Sequence, residues 1–167
     1  MMHNAYIGIG TNIEPRTERI KKAFKSLEQF GTLEKKSSIY ETAPYGFTKQ
    51  ADFLNAAVKL RTELKVEQLH EALRLSEKAL GRTERLRWHE REIDFDILFY
   101  DDVVMNSENL TIPHPELPYR AFVLVPMNEI APDLIHPVIK KNIASLLQEL
   151  EYDKESIKII HGSRDDF

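Results

Sequence analysis

Residues 88–100 read Trp88-His89-Glu90-Arg91-Glu92-Ile93-Asp94-Phe95-Asp96-Ile97-Leu98-Phe99-Tyr100, and the second half of that stretch decides the fold. Ile93, Phe95, Ile97 and Phe99 alternate with Asp94, Asp96, Leu98 and Tyr100. Successive side chains of a strand point to opposite faces, so the pattern predicts a buried strand with one wholly apolar face. The other face begins with two carboxylates. At a rise of about 3.3 Å per residue, Asp94 and Asp96 stand roughly 6–7 Å apart along the backbone. Carboxylates so placed can converge on one cation or hold two side by side. Hard oxygen donors suit Mg²⁺ or Mn²⁺, and no imidazole or thiolate sits here at zinc spacing. The plainer reading is a solvated strand face. Against it, the strand is too apolar for a sheet edge, which predicts that the acids lie at the mouth of a core strand.

The segment before the strand carries Arg82, Arg85, Arg87 and Arg91 with the single Trp88. Guanidinium groups bind phosphate oxygens in a fixed fork, so arginines beside paired acids suit a polyanion bridged by metal. A solvated basic loop is the alternative.

The bulk composition narrows the class. A chain of 167 residues is expected to form one domain, residues 1–167, with a sizeable core. An apolar content of 42% and a charged content of 30% are ordinary for a soluble globular chain. A formal net charge of −4 argues against a dedicated nucleic-acid binder, whose footprint is basic. Without cysteine there is neither a disulfide nor a thiolate metal site. The start has no charged region followed by a long apolar run, and no stretch reaches the roughly 20 apolar residues of a membrane span, so the expected compartment is the cytoplasm.

Taken in order, residues 5–10 read as a first strand, with Ala5, Ile7 and Ile9 on one face and Gly8 and Gly10 leaving the other bare for close packing. Pro15 opens a helix through Ile20, Ala23, Phe24, Leu27 and Phe30, which Gly31 is expected to stop. Residues 32–42 read as one strand, and residues 43–52 as a loop with two aromatics. Loops of this length are often functional. Residues 53–62 form a third strand, with Leu54, Ala56, Val58 and Leu60 on one side and Phe53, Asn55 and Ala57 on the other. A ring beside an amide suits a planar heterocycle, held by stacking and paired hydrogen bonds; a strand end reaching solvent would look the same. Val66, Leu69, Leu73, Ser76 and Leu80 mark a second helix ended by Gly81, with Glu77 beside the apolar stripe. His114, between Pro113 and Pro115, has restricted backbone freedom on both sides. A short helix over residues 119–131 is expected to break near Pro126; a last helix around residues 143–150 and a strand at 157–160 follow. Strands and helices do not alternate strictly, which predicts an α+β domain, helices on a mostly antiparallel sheet.

Several segments together resemble the 6-hydroxymethyl-7,8-dihydropterin pyrophosphokinases of folate biosynthesis. The resemblance rests on Ala5-Tyr6-Ile7-Gly8-Ile9-Gly10-Thr11-Asn12, Tyr40-Glu41-Thr42-Ala43-Pro44 and Phe53-Leu54-Asn55-Ala56-Ala57-Val58. It continues through Glu77, Gly81-Arg82, Arg87-Trp88, Arg91 to Leu98, Ile112-Pro113-His114-Pro115 and Arg120-Ala121-Phe122-Val123. It implies a ferredoxin-like fold with helices on both sides of the sheet and mobile loops closing over the substrates. It also implies transfer of the pyrophosphoryl group of ATP to the hydroxymethyl group of the dihydropterin, with release of AMP. Asp94 and Asp96 match two acids that hold a pair of Mg²⁺ ions, and together with Arg82 and Arg91 they form the implied catalytic set. Thr42, Ala43, Pro44, Tyr45, Phe53, Asn55, Trp88, Arg120 and Phe122 match pterin-side positions. Arg74, Glu77, Arg82, Arg91, Ile97, Thr111 and His114 match ATP-side positions. The implied partners are these two small molecules, with no nucleic acid or membrane, and a monomer or weak dimer. One departure stands out: His89-Glu90 occupy the place where the family usually has Gly-Pro, which would stiffen that loop. Two other readings are a metal-dependent phospho- or nucleotidyltransferase with a different acceptor, and a non-catalytic ferredoxin-like binding module.

Overall fold

The chain runs β1 (His3–Thr11), α1 (Arg16–Leu27), β2 (Thr32–Lys36), β3 (Ile39–Thr42), β4 (Phe53–Thr62), α2 (Val66–Ala79) and β5 (Asp94–Tyr100). It continues with β6 (Met105–Asn106), β7 (Thr111–Ile112), α3 (Ala121–Ile130), α4 (Ile143–Glu149) and β8 (Ile157–His161). These elements come from a computed structural model that describes residues 1–44, 49–83 and 89–163. The main sheet has the order β5-β1-β4-β3-β8, with β2 also paired to β4, and the registered pairs are antiparallel. With β2 and β3 counted as one interrupted strand, the first part of the chain is the β-α-β-β-α-β unit of ferredoxin-like folds. β6 and β7 form a separate hairpin.

Alternation along the strands divides the interior into two cores. Ala5, Ile7 and Ile9 of β1, Leu54, Val58 and Leu60 of β4, and Phe95 and Ile97 of β5 face α1 and α2, where Ile20, Phe24, Leu27, Leu69 and Leu73 meet them. Tyr6, Ala57, Leu98 and Phe99 face the opposite way, against Leu124, Met127 and Ile130 of α3 and Ile143 and Leu146 of α4. Helices therefore cover both faces of the sheet, as the α+β pattern implies. Among the described residues, no helix is long and apolar enough to cross a membrane.

The strand of paired acids departs from expectation, because β5 ends the sheet order and is an edge. Its apolar composition reflects burial on both faces, Phe95 and Ile97 beneath α1 and α2 and Leu98 and Phe99 against α3 and α4, while the edge itself is capped by polar groups. The Phe95 N–H donates to Glu77 Oε2 at 2.7 Å, the Phe95 carbonyl accepts from the Arg74 guanidinium, and the Leu98 carbonyl accepts from the His114 N–H at 3.0 Å. Capped in this way, the edge presents fewer open backbone groups to a second strand.

Three further boundaries differ. Residues 32–42 split into β2 and β3, because Ser37 turns inward: its N–H donates to the Ala57 carbonyl at 2.8 Å and its hydroxyl accepts from the Ala57 N–H at 2.9 Å. Helix α1 ends at Leu27, ahead of Phe30 and Gly31. Gly31 serves a close approach instead, since a Cβ there would lie 2.1 Å from the Arg61 carbonyl oxygen. Helix α3 runs through Pro126 unbroken. The ring removes one backbone bond, while burial of Leu124, Met127 and Ile130 holds the segment helical. Gly81, by contrast, follows α2 with φ +98, the left-handed conformation expected of a residue that ends a helix.

Candidate active site

The site is laid out by strand register. Gly10 of β1 pairs with Asp94 of β5 on one side and with Asn55 of β4 on the other. Gly8 likewise pairs with Asp96 and with Ala57. Registered residues share a face, so two rows cross the sheet with carboxylates at one end and the Asn55 amide at the other. The glycines and Ala57 leave the floor between them low. Above it lies a cavity of about 400 Å³.

Most of the expected residues meet in that cavity. Thr42, Ala43, Phe53, Asn55 and Phe122 line it, as do Arg82, Arg91, Asp94, Asp96, His114 and Arg120. Five others do not. Glu77 and Arg74 lie behind the wall, where they hold Arg82 and β5. The Ile97 side chain points into the core beneath α1 and α2, so any contact it makes with a ligand would be through its backbone. Thr111 donates to Asn106 Oδ1 at 3.0 Å within the hairpin, and Pro44 is not part of the lining. Tyr45, Arg85, Arg87 and Trp88 fall outside the described residues. Pro115, Glu116 and His89 also line the cavity; their spacing in the sequence does not point to a ligand, and His89 stands out there only as a departure from the usual Gly-Pro.

At the acidic end, Arg82 Nη1 sits 2.8 Å from Asp94 Oδ1 and 2.9 Å from Glu77 Oε2. Burial works against the guanidinium charge, but the Asp94 and Glu77 carboxylates outweigh it and hold the Arg82 pKa above its ordinary value. Glu77 is only 3% exposed. Burial pushes its carboxyl up, against the pull of Arg74 and the Phe95 N–H. Desolvation at the cavity floor and the charge of Asp94 push the Asp96 carboxyl well above the usual range. His114 Nδ1 accepts from the Glu116 N–H at 3.2 Å, and Nε2 lies 3.9 Å from Asp96 Oδ1. Burial lowers the His114 pKa, which favours the neutral ring. Arg91 Nη1 donates to the carbonyls of His89 and Glu90 at 3.1 and 2.9 Å.

The donor set fits a hard divalent cation shared with a ligand. Asp94 and Asp96 supply carboxylate oxygens, and a cation between them would relieve the repulsion that raises Asp96. Among the described residues, no group of three or more His, Cys, Asp or Glu forms a self-sufficient metal cage. A cation here must complete its shell with water and phosphate oxygens, which is how Mg²⁺ is commonly held.

At the other end, Asn55 is 7% exposed, and its Nδ2 donates to Thr42 Oγ1 at 2.6 Å. That bond fixes the amide plane and leaves Oδ1 toward Gly10, where a Cβ would come within 3.2 Å of it. Phe53, one pleat further along β4, stands beside it.

Paired acids, guanidinium groups and an amide-and-ring pocket meet around one cavity of an α+β sheet, an arrangement that suits a metal-assisted phosphotransferase. The family model for 7,8-dihydro-6-hydroxymethylpterin-pyrophosphokinase (HPPK) matches residues 6–132, and the chain belongs to this family. It is 40% identical over 148 residues to the 2-amino-4-hydroxy-6-hydroxymethyldihydropteridine pyrophosphokinase of Aquifex aeolicus, an alignment covering 89% of this chain and 92% of that one. The protein of the same name from Bacillus subtilis is 38% identical over 161 residues, covering 95% of this chain and 91% of the relative. Among solved structures, the wild-type HPPK-DHPS of Plasmodium falciparum with pteroate superposes with a TM-score of 0.72 at 16% identity, over 89% of this chain and 42% of that chain. This chain spans less than half of that larger protein, and the likeness bears on the fold alone.

Proposed function

We infer that this chain carries out the reaction for which its family is named, as a single cytoplasmic domain. The pyrophosphoryl group of ATP passes to the hydroxymethyl oxygen of 6-hydroxymethyl-7,8-dihydropterin. A bond forms between that oxygen and the β-phosphorus, the bridge to the α-phosphate breaks, AMP departs, and the hydroxyl proton is lost. The observation that supports the reading most is the row Asp94–Gly10–Asn55, in which a carboxylate and an amide face one cavity across a single glycine.

Asn55 offers a fixed amide to the pterin edge, while Phe53 and Phe122 flank the ring plane. Arg82, anchored from behind by Glu77, is pre-oriented toward the transferring phosphates, and Arg91 and Arg120 add charge at the rim. Asp94 and Asp96 would hold a pair of Mg²⁺ ions with ATP. When bound, Mg²⁺ neutralises phosphate charge and aligns the phosphate oxygens. Walls formed by α3 and by residues 114–116 shield the acceptor from water, which would otherwise compete with the alcohol.

The test is product identity. The protein is mixed with ATP, Mg²⁺ and the dihydropterin, and the adenine nucleotides are separated. AMP formed only with the pterin present is the expected result. ADP would mean single phosphoryl transfer, and nucleotide release without pterin would mean another acceptor.

A further inference from the structure

Arg16 opens α1 and does not line the cavity, yet its guanidinium reaches both strands that hold the Asn55 end. Nη1 lies 2.8 Å from Glu41 Oε2 of β3 and donates to the carbonyl of Asp52, the residue before β4, at 3.0 Å. Nε donates to Glu14 Oε1 at 3.0 Å, and the same oxygen accepts from the Arg16 N–H at 3.0 Å. The side chain is thus anchored at its root by Glu14 and grips two strands with its tip. Burial works against its charge, but Glu41 and Glu14 outweigh it and hold the Arg16 pKa above its ordinary value.

The grip falls at the end of a ladder. β3 and β4 pair through Tyr40–Asn55, Glu41–Leu54 and Thr42–Phe53. Neighbouring residues of a strand point to opposite faces, so Glu41 turns away from the cavity while Thr42 turns into it. Arg16 therefore holds the last pairs from the far side of the sheet. Ladder ends are where pairing opens most easily. Opening here would part Thr42 from Asn55, whose amide it fixes at 2.6 Å, and would shift Phe53. An ion pair on an open surface contributes little, but this guanidinium is 21% exposed and one of its acceptors is a backbone carbonyl.

We propose that Arg16 is a positioning residue for the acceptor: by clasping Glu41 and the Asp52 carbonyl it keeps the ends of β3 and β4 together, and so holds Thr42, Phe53 and Asn55 in the geometry that receives the pterin. The proposal rests on the substrate assignment above.

The experiment measures KM for the dihydropterin and for ATP, kcat and the melting temperature on the full chain. The variants are Arg16→Met, Arg16→Lys, Glu41→Ala and the double variant Arg16→Met with Glu41→Ala. Methionine keeps an unbranched side chain without donors. Lysine keeps a charged donor but ends one bond short of Nη1. Glu41→Ala releases β3 and leaves the bond to Asp52, at a partly exposed position where folding should be little affected. Arg16→Met is expected to raise the pterin KM about fivefold or more while the ATP KM stays within about twofold. Arg16→Lys should recover part of that loss, Glu41→Ala should raise the pterin KM in the same direction, and the double variant should add little to Arg16→Met. A merely structural role would lower the melting temperature and the active fraction and leave both KM values alone, and that result overturns the proposal. So do equal changes in the two KM values, or a double variant whose effects simply add. A wild type that binds ATP but neither binds nor turns over the pterin overturns the substrate assignment together with the positioning role built on it.

Discussion

Asp94 and Asn55 face one cavity from a single row of the sheet, each registered on Gly10. With strands about 4.8 Å apart, the two side chains are separated by two strand spacings, roughly 10 Å. That span accommodates a flat acceptor at one end and a phosphate chain at the other. Rigid strands hold both residues, so under the proposed reading much of the alignment for in-line transfer would be in place before either substrate arrives.

Removing either acid should abolish chemistry without unfolding the protein. Asp94→Ala or Asp96→Ala is expected to lower kcat by roughly 10³-fold or more, the scale of losing a preorganised charge site. The Asp96 side chain is 43% exposed and stands beside the Asp94 carboxylate, so its removal should leave the melting temperature close to that of the wild type. Steady-state rates paired with thermal melts check this; near-normal turnover would sink the metal assignment.

Gly10→Ala tests the low floor. The new Cβ would sit 3.2 Å from Asn55 Oδ1, tight enough to displace the amide by a few tenths of an ångström. The pterin KM should rise about tenfold while the ATP KM moves little, because displacements well under 1 Å already weaken oriented contacts. Equal changes in both KM values would place the glycine's role elsewhere.

Gly31→Ala should act on stability alone. Its Cβ would lie 2.1 Å from the Arg61 carbonyl oxygen, so backbone must shift where β2 meets β4. A loss of about 3 kcal/mol or more in chemical denaturation is expected, with normal activity in the fraction that folds. A loss under about 1 kcal/mol would show that the contact relaxes freely.

These glycines also mark what the sequence could and could not reveal. The strand of paired acids, the faces of β4 and the stripes of α1 and α2 were legible because period-two and helical spacing report burial directly. The bare face of β1 was legible too, through Gly8 and Gly10. The edge position of β5 was not: its cap consists of Glu77, Arg74 and the His114 N–H, and periodicity says nothing about which side chain from afar closes a strand edge. Gly31 looked like a helix stop because helix ends and close approaches select the same residue. The contacts of Asn12 were not legible either, since its partners lie 38 and 79 positions away.

The buried His136 predicts a pH effect on stability. Its Nδ1 accepts from the N–H groups of Val138 and Ile139 at 3.2 and 3.1 Å, and its ring packs edge-on to Phe99 at 5.7 Å. Burial holds its pKa below the ordinary 6.5, so the neutral ring is the folded form. The unfolded chain binds more protons between the lowered pKa and 6.5, so this contribution is intact above 6.5, is lost as pH falls through that window, and levels off below it. His136→Gln should flatten that slope in denaturation curves taken between pH 7.5 and 5 (about the range over which histidines titrate). An unchanged slope would assign the effect to the other histidines.

The most direct measurement separates the two ends of the row. Binding of the dihydropterin and of Mg²⁺ with a non-hydrolysable ATP analogue, each measured alone by calorimetry, is compared in the wild type, Asn55→Ala and Asp94→Ala. The division of the cavity predicts that Asn55→Ala loses pterin affinity by about tenfold or more and keeps the nucleotide, whereas Asp94→Ala does the reverse. If Asn55→Ala instead lost the nucleotide, or Asp94→Ala bound it as the wild type does, the row would not divide acceptor from phosphate and the account would be wrong.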